Sequence, residues 1–138
     1  MINRLEQDLK FNREALNLRS YRQELLASNI ANADTPHFKA RDIDFKSALA
    51  GAIGGRTAPA VDSVELERTH TAHIAGKTES EYSSLAKYRS EYMGAVDGNT
   101  VNMDIERSAL AENSLQMEAL LTFINKRFEG MQRAINGQ

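Results

Sequence analysis

Two long helical repeats, one at each end of the chain, constrain its fold more than anything between them. Residues 2–33 contain no glycine or proline. Ile2, Leu5, Leu9, Leu16, Leu26 and Ile30 recur on one broad helical face, and Phe11, Leu18 and Leu25 lie seven apart on another. Residues 102–135 carry Leu110, Met117, Leu121, Ile124, Phe128, Met131 and Ile135, which settle into alternating steps of four and three, a heptad a/d stripe. A rise of 1.5 Å per residue predicts lengths of roughly 48 Å and 51 Å, a matched pair.

The ends of these repeats are written in capping chemistry. Asn102 stands at the second start, with Asp104 and Glu106 in the first turns, where the helix dipole favours negative charge. Lys126, Arg127 and Arg133 gather near its end, and Gly137 follows the last apolar position. The first repeat stops in NIANADTPHFKARD, residues 29–42. Asn29, Asn32 and Asp34 can bond their own backbones in competition with the helix. Thr35 precedes Pro36 and is pushed out of the helical region. These five residues predict an elbow: at the least a helix end and a turn, at most a fixed bend in a rod-shaped chain.

Between the repeats the texture changes. Six of the eight glycines and both prolines fall between positions 36 and 98, which predicts an irregular arm. Residues 42–53, DIDFKSALAGAI, read as one short helix capped by Asp42 or Asp44. GGRTAPAVDS reads as a connector, and VELERTHTAHIAG has mixed period. Tyr82, Leu85, Tyr88 and Tyr92 are spaced for a modest helix or a loosely ordered segment.

The fold class follows: mainly α, with the terminal helices packed as an antiparallel, coiled-coil-like pair and a middle arm containing short helices. The expected organisation is 1–33, 34–101 and 102–138, with one domain built from both termini. Two helices bury a single mutual seam, and an isolated helix is marginal in water. Phe11, Leu18 and Leu25 on one helix, and Leu120 and Phe123 on the other, are expected to remain uncovered within one chain. The helices should therefore complete their cores on other subunits. The candidate assembly surface comprises Leu5, Leu9, Phe11, Leu16, Leu18, Leu25 and Ile30 with Leu110, Met117, Leu121, Ile124, Phe128, Met131 and Ile135.

Several chemistries are disfavoured. A net charge of −2, from 17 basic and 19 acidic residues, leaves no nucleic-acid footprint. No apolar run approaches the ~18 residues of a membrane span, and the first twenty residues hold no apolar signal core. This reads as a cytoplasmic chain unless it leaves by a route that needs no cleaved signal. Without cysteine there is neither disulfide nor thiolate metal site. His70 and His73 share a helical face if that segment is helical, but zinc wants three or four ligands, and His37 is far away in sequence. They read as solvated or interface histidines. No nucleophile elbow, P-loop or dinucleotide fingerprint occurs, so no catalytic, cofactor or metal residue is assigned. A small helical adaptor or chaperone forming a closed complex is the rival to an open assembly; an enzyme built on His70 or His73 is a weaker one.

EALNLRSYRQELLASNIANADTPHFKARDIDF and DGNTVNMDIERSALAENSLQMEALLTFINKRFEGMQRAI carry a resemblance. Together they resemble the two ends of bacterial flagellar axial proteins, and in particular the basal-body rod proteins of the proximal-rod type. The likeness covers residues 10–46 and 97–135, and RTHTAHIAG resembles a short element of the same proteins. His37 departs from the pattern, which often has glycine after the proline. The resemblance implies a subunit of a helical tube whose terminal helices form the inner wall. Such a tube joins the membrane ring and export gate to the distal rod, transmits torque and encloses an export channel. It implies residence in the flagellar basal body on the periplasmic side, reached by flagellar type III export without a cleaved signal. The implied partners are copies of itself, other rod proteins, the adaptor at the rod base, the membrane-ring protein and the export gate. No nucleic acid, cofactor or direct membrane insertion is implied.

Overall fold

The computed structural model describes residues 2–54, 82–89 and 96–137. Helix α1 spans Ile2–Ala31 and is followed by strand β1, Arg41–Ile43, and helix α2, Phe45–Ile53. A 3₁₀ turn at Ser83–Leu85 leads into strand β2, Ala86–Tyr88, and helix α3 runs Met103–Asn136. The fold is mainly helical, as expected, and the long helices end within two residues of their sequence-read limits.

Local chemistry explains the boundaries. Asn102 caps α3, its side-chain oxygen accepting from the N–H groups of Asp104 at 3.0 Å and Ile105 at 3.3 Å. Gly137 ends the helix with φ 72°, the left-handed conformation that glycine adopts without penalty. Of the two candidate caps for α2, Asp44 holds the position, accepting from Ser47 N–H. Asp42 lies in β1 and has a different role.

Helices α1 and α3 pack antiparallel over nearly their full length. Asn29 meets Glu106, Arg19 meets Asn113, and Asp8 meets Arg127. The fully buried positions along this contact are largely polar: Asn29, Glu106 and Asn113 have almost no exposure. The expected apolar stripe of α3 lies beside that line. Leu110, Met117, Ile124 and Met131 are half-buried, and Leu121, Phe128 and Ile135 are exposed.

The apolar core lies on another side of α1. Leu18 and Leu25 pack with Ile43 of β1 and Ala48 of α2, and Tyr21, Phe45, Leu49, Tyr82, Leu85 and Ala86 close around them. This corrects one expectation. Leu18 and Leu25 are buried by the chain's own arm; they do not wait for another subunit. A second correction concerns the tyrosine-spaced segment. Tyr82, Leu85 and Tyr88 do not share an α-helical face, because residues 86–88 pair antiparallel with β1, Tyr88 opposite Arg41 and Ala86 opposite Ile43. Tertiary partners outweigh a weak local helix pattern here. Leu85 and Ala86 join the core, while the Tyr82 hydroxyl donates to Glu14 at 2.9 Å and accepts from Asn17. Tyr92, His70 and His73 lie outside the described residues, as do the connector and the RTHTAHIAG element.

Candidate functional site

The elbow begins where α1 runs out of intrahelical partners. The Asn32 side chain donates to the Ser28 carbonyl at 2.8 Å, and the Thr35 hydroxyl donates to the Asn32 side-chain oxygen at 3.2 Å. The Asn32 bond to the backbone is a local competitor of the expected kind. Asp34, Thr35 and Pro36 are exposed. Asn29 acts differently from expectation. It is buried inside α1, and its amide closes a pair of bonds with the Arg41 backbone, donating to the carbonyl at 2.8 Å and accepting from the N–H at 3.1 Å. It ties β1 to the helix and does not compete with its own backbone.

The chain before α3 returns to the same place. The Asn99 side-chain NH₂ donates to the carbonyls of Asn32 at 3.0 Å, Ala33 at 2.7 Å and Thr35 at 2.9 Å. His37 N–H donates to the Asp97 carbonyl, Thr100 N–H to the Phe38 carbonyl, and Ala40 N–H to the Thr100 hydroxyl oxygen. His37 has φ 60°, in the left-handed region, which is why a glycine suits this position. Opposite it, Gly98 has φ 74°, and a Cβ there would stand 2.9 Å from the His37 Nδ1. The left-handed backbone at 98, with this close approach beside it, favours glycine there.

A charged junction lies one turn further in. Arg22 grips Asp42 through Nε at 2.8 Å and Nη2 at 3.0 Å. Arg89 bridges Asp42 at 2.8 Å and Glu106 at 2.5 Å. Glu106 is wholly buried, and its other oxygen accepts from Asn29 at 3.1 Å. Two guanidiniums and two carboxylates balance, and they join α1, β1, the residue after β2, and α3. Burial raises the Asp42 pKa, but hydrogen bonds from Arg22 and Arg89 outweigh it and hold this carboxyl below its ordinary value. The bond to Asp42 raises Arg22 in turn. Burial, then the neighbouring Arg22 charge, lowers Arg19, whose guanidinium stacks 3.6 Å over the Phe45 ring.

The remaining candidates are largely exposed. Leu9, Phe11, Leu121, Phe123, Phe128 and Ile135 are exposed, Phe123 at 58% and Ile135 at 84%. They lie toward the N-terminus of α1 and the C-terminus of α3, which the antiparallel pairing brings to one end. Leu16 and Ile30 are half-buried, and Leu5 lies in α1. Among the described residues no group of His, Asp and Glu is arranged to hold a metal, and no helix is long and apolar enough to cross a membrane.

Asn99, Thr100, Arg22, Asp42, Arg89 and Glu106 were not singled out as site residues by sequence reasoning. The one usable signal was the DGNT turn before α3, which reads as a connection and gives no hint of a partner 67 residues away.

The chain is similar to known proteins along almost its whole length. A family model described as "Flagella basal body rod protein" matches residues 9–39, most of α1 and its elbow. The flagellar basal body rod protein FlgB of Escherichia coli (strain K12) is 44% identical over 136 residues, covering 98% of this chain and 97% of that protein. FlgB of Salmonella typhimurium is 44% identical over 138 residues, with 99% of both chains covered. FlgB of Cereibacter sphaeroides is 42% identical over 125 residues, with 91% of both covered. With helix pair, elbow and full-length identity in agreement, the chain belongs to the FlgB family of flagellar basal body rod proteins.

Proposed function

We propose that this protein is a structural subunit of the proximal rod, repeated in a helical tube whose inner wall is the α1–α3 pair. The arm beyond the elbow faces neighbouring subunits. In this reading the tube links the membrane ring and export gate to the distal rod, carries torque, and encloses the channel through which subunits, this one included, are exported without a cleaved signal. Copies of itself, other rod proteins and the adaptor at the rod base are the partners, on the periplasmic side. The chain works by packing and catalyses nothing.

The observation that carries the proposal is the number of large apolar side chains left exposed along both helices of the pair. Apolar surface that the chain itself leaves uncovered marks interaction sites. Leu121 is 43% exposed on the single chain, so Leu121→Asp should leave the monomer's helix content intact. In an assembled interface the same carboxylate would be desolvated without a partner, at several kcal/mol. Cells carrying the variant should be non-motile and yield basal bodies without rods. Normal rods, or a wild-type chain purified only as a closed complex of fixed size, would reject the tube.

A further inference from the structure

The geometry points to an elbow made by the 97–100 loop, with Asn99 as the positioning residue that ends α1 and sets where the arm departs. In a continuing helix the carbonyls of Asn32 and Ala33 would take the N–H groups of residues 36 and 37. Pro36 has no N–H, and His37 gives its own to the Asp97 carbonyl at 3.1 Å. Asn99 fills the gap: its one NH₂ group reaches the Ala33 carbonyl and adds a second bond to those of Asn32 and Thr35, which also accept from Thr35 N–H at 3.1 Å and Phe38 N–H at 3.3 Å. Two hydrogens serve three acceptors, so one is shared. The loop, together with two tight backbone bonds, thus stands in for the helical turn that does not form.

Asn99 is held for this task. It is buried, its side-chain oxygen accepts from Val101 N–H at 2.8 Å, and its own N–H donates to the Asp97 carboxylate at 3.1 Å. The α3 cap, Asn102, follows three residues later. The residues that turn are by contrast exposed, from Asp34 to His37. The elbow therefore forms only when the start of the C-terminal helix is docked, and the direction of the arm is coupled to that docking. This concerns the chain's own fold and stands apart from the assembly reading.

The test compares Asn99→Asp, Pro36→Ala and the double variant in the full chain by nuclear magnetic resonance. The aspartate side chain is nearly isosteric with the asparagine but has no donor, and it sets a negative charge against three carbonyls. In Asn99→Asp, amide exchange at His37 and Thr100 should accelerate at least about tenfold, while Leu18 and Leu26 stay within about threefold, the pattern of a local opening. Pro36→Ala alone should leave residues 32–37 without helical secondary shifts beyond those of the wild-type chain. The double variant should turn them helical for about one further turn, since both the missing N–H and the loop are then out of the way. Helix extension in Pro36→Ala alone would overturn the inference. So would an Asn99→Asp protein whose His37 exchange is unchanged, or one in which every amide accelerates equally.

Discussion

Arg89 is the residue whose removal the structure makes most costly. Its guanidinium is the cation in contact with Glu106, a carboxylate with no exposed surface, and Asn29 supplies only a neutral hydrogen bond. Arg89→Met keeps the aliphatic stem and deletes the charge. Leaving a buried carboxylate without its cation costs about 3–5 kcal/mol. Losing the bond to Asp42 adds about 1 kcal/mol, because Arg22 still pairs that carboxylate. Urea unfolding at pH 7 followed by circular dichroism should thus give a loss of about 4–6 kcal/mol. Adding Glu106→Gln should recover the larger part of that loss, since a neutral amide needs no cation. A loss of under about 1 kcal/mol, or a double variant no more stable than Arg89→Met alone, would show that Glu106 does not depend on this guanidinium.

Two further outcomes are expected. His37→Gly should stabilise the isolated chain by about 0.5–1 kcal/mol, because φ 60° strains any residue with a Cβ; a lowered melting temperature would mean that the imidazole itself contributes more than the strain costs. Asp42 has a depressed pKa, so its contribution is fully present above the unfolded aspartate value of about 3.9 and is lost as pH falls through the lower folded value. Asp42→Asn should accordingly cost about 1.5–3 kcal/mol at pH 7 and flatten this acid limb of the stability curve; an unchanged limb in acid unfolding would show that other carboxylates control it.

The features legible in the residue order are mostly those that local chemistry sets. Apolar recurrence at helical spacing, the Asn102 cap with its acidic first turns, and the glycine at 137 marked both long helices to within two residues, because these signals act over one or two turns. The NIANADTP stretch announced a helix end for the same reason. The matched lengths foretold the antiparallel pair, and the two end motifs together indicated the family. Tertiary structure decided the rest. Leu18 and Leu25 looked unpartnered because their cover, Ile43, Ala48 and the 82–86 segment, comes from an arm with weak and mixed periodicity. Residues 86–88 became a strand because β1 offered them an edge, not because their spacing asked for one. Asp42 read as a possible helix cap and Glu106 as a first-turn acid, and nothing marked out Arg22 or Arg89. Their meaning lies in being brought together and dried, and no periodicity reports on that. Asn99 is the sharpest case. Its amide ends a helix that stopped 67 residues earlier, and a hydrogen bond over that separation leaves no trace in the order of the residues.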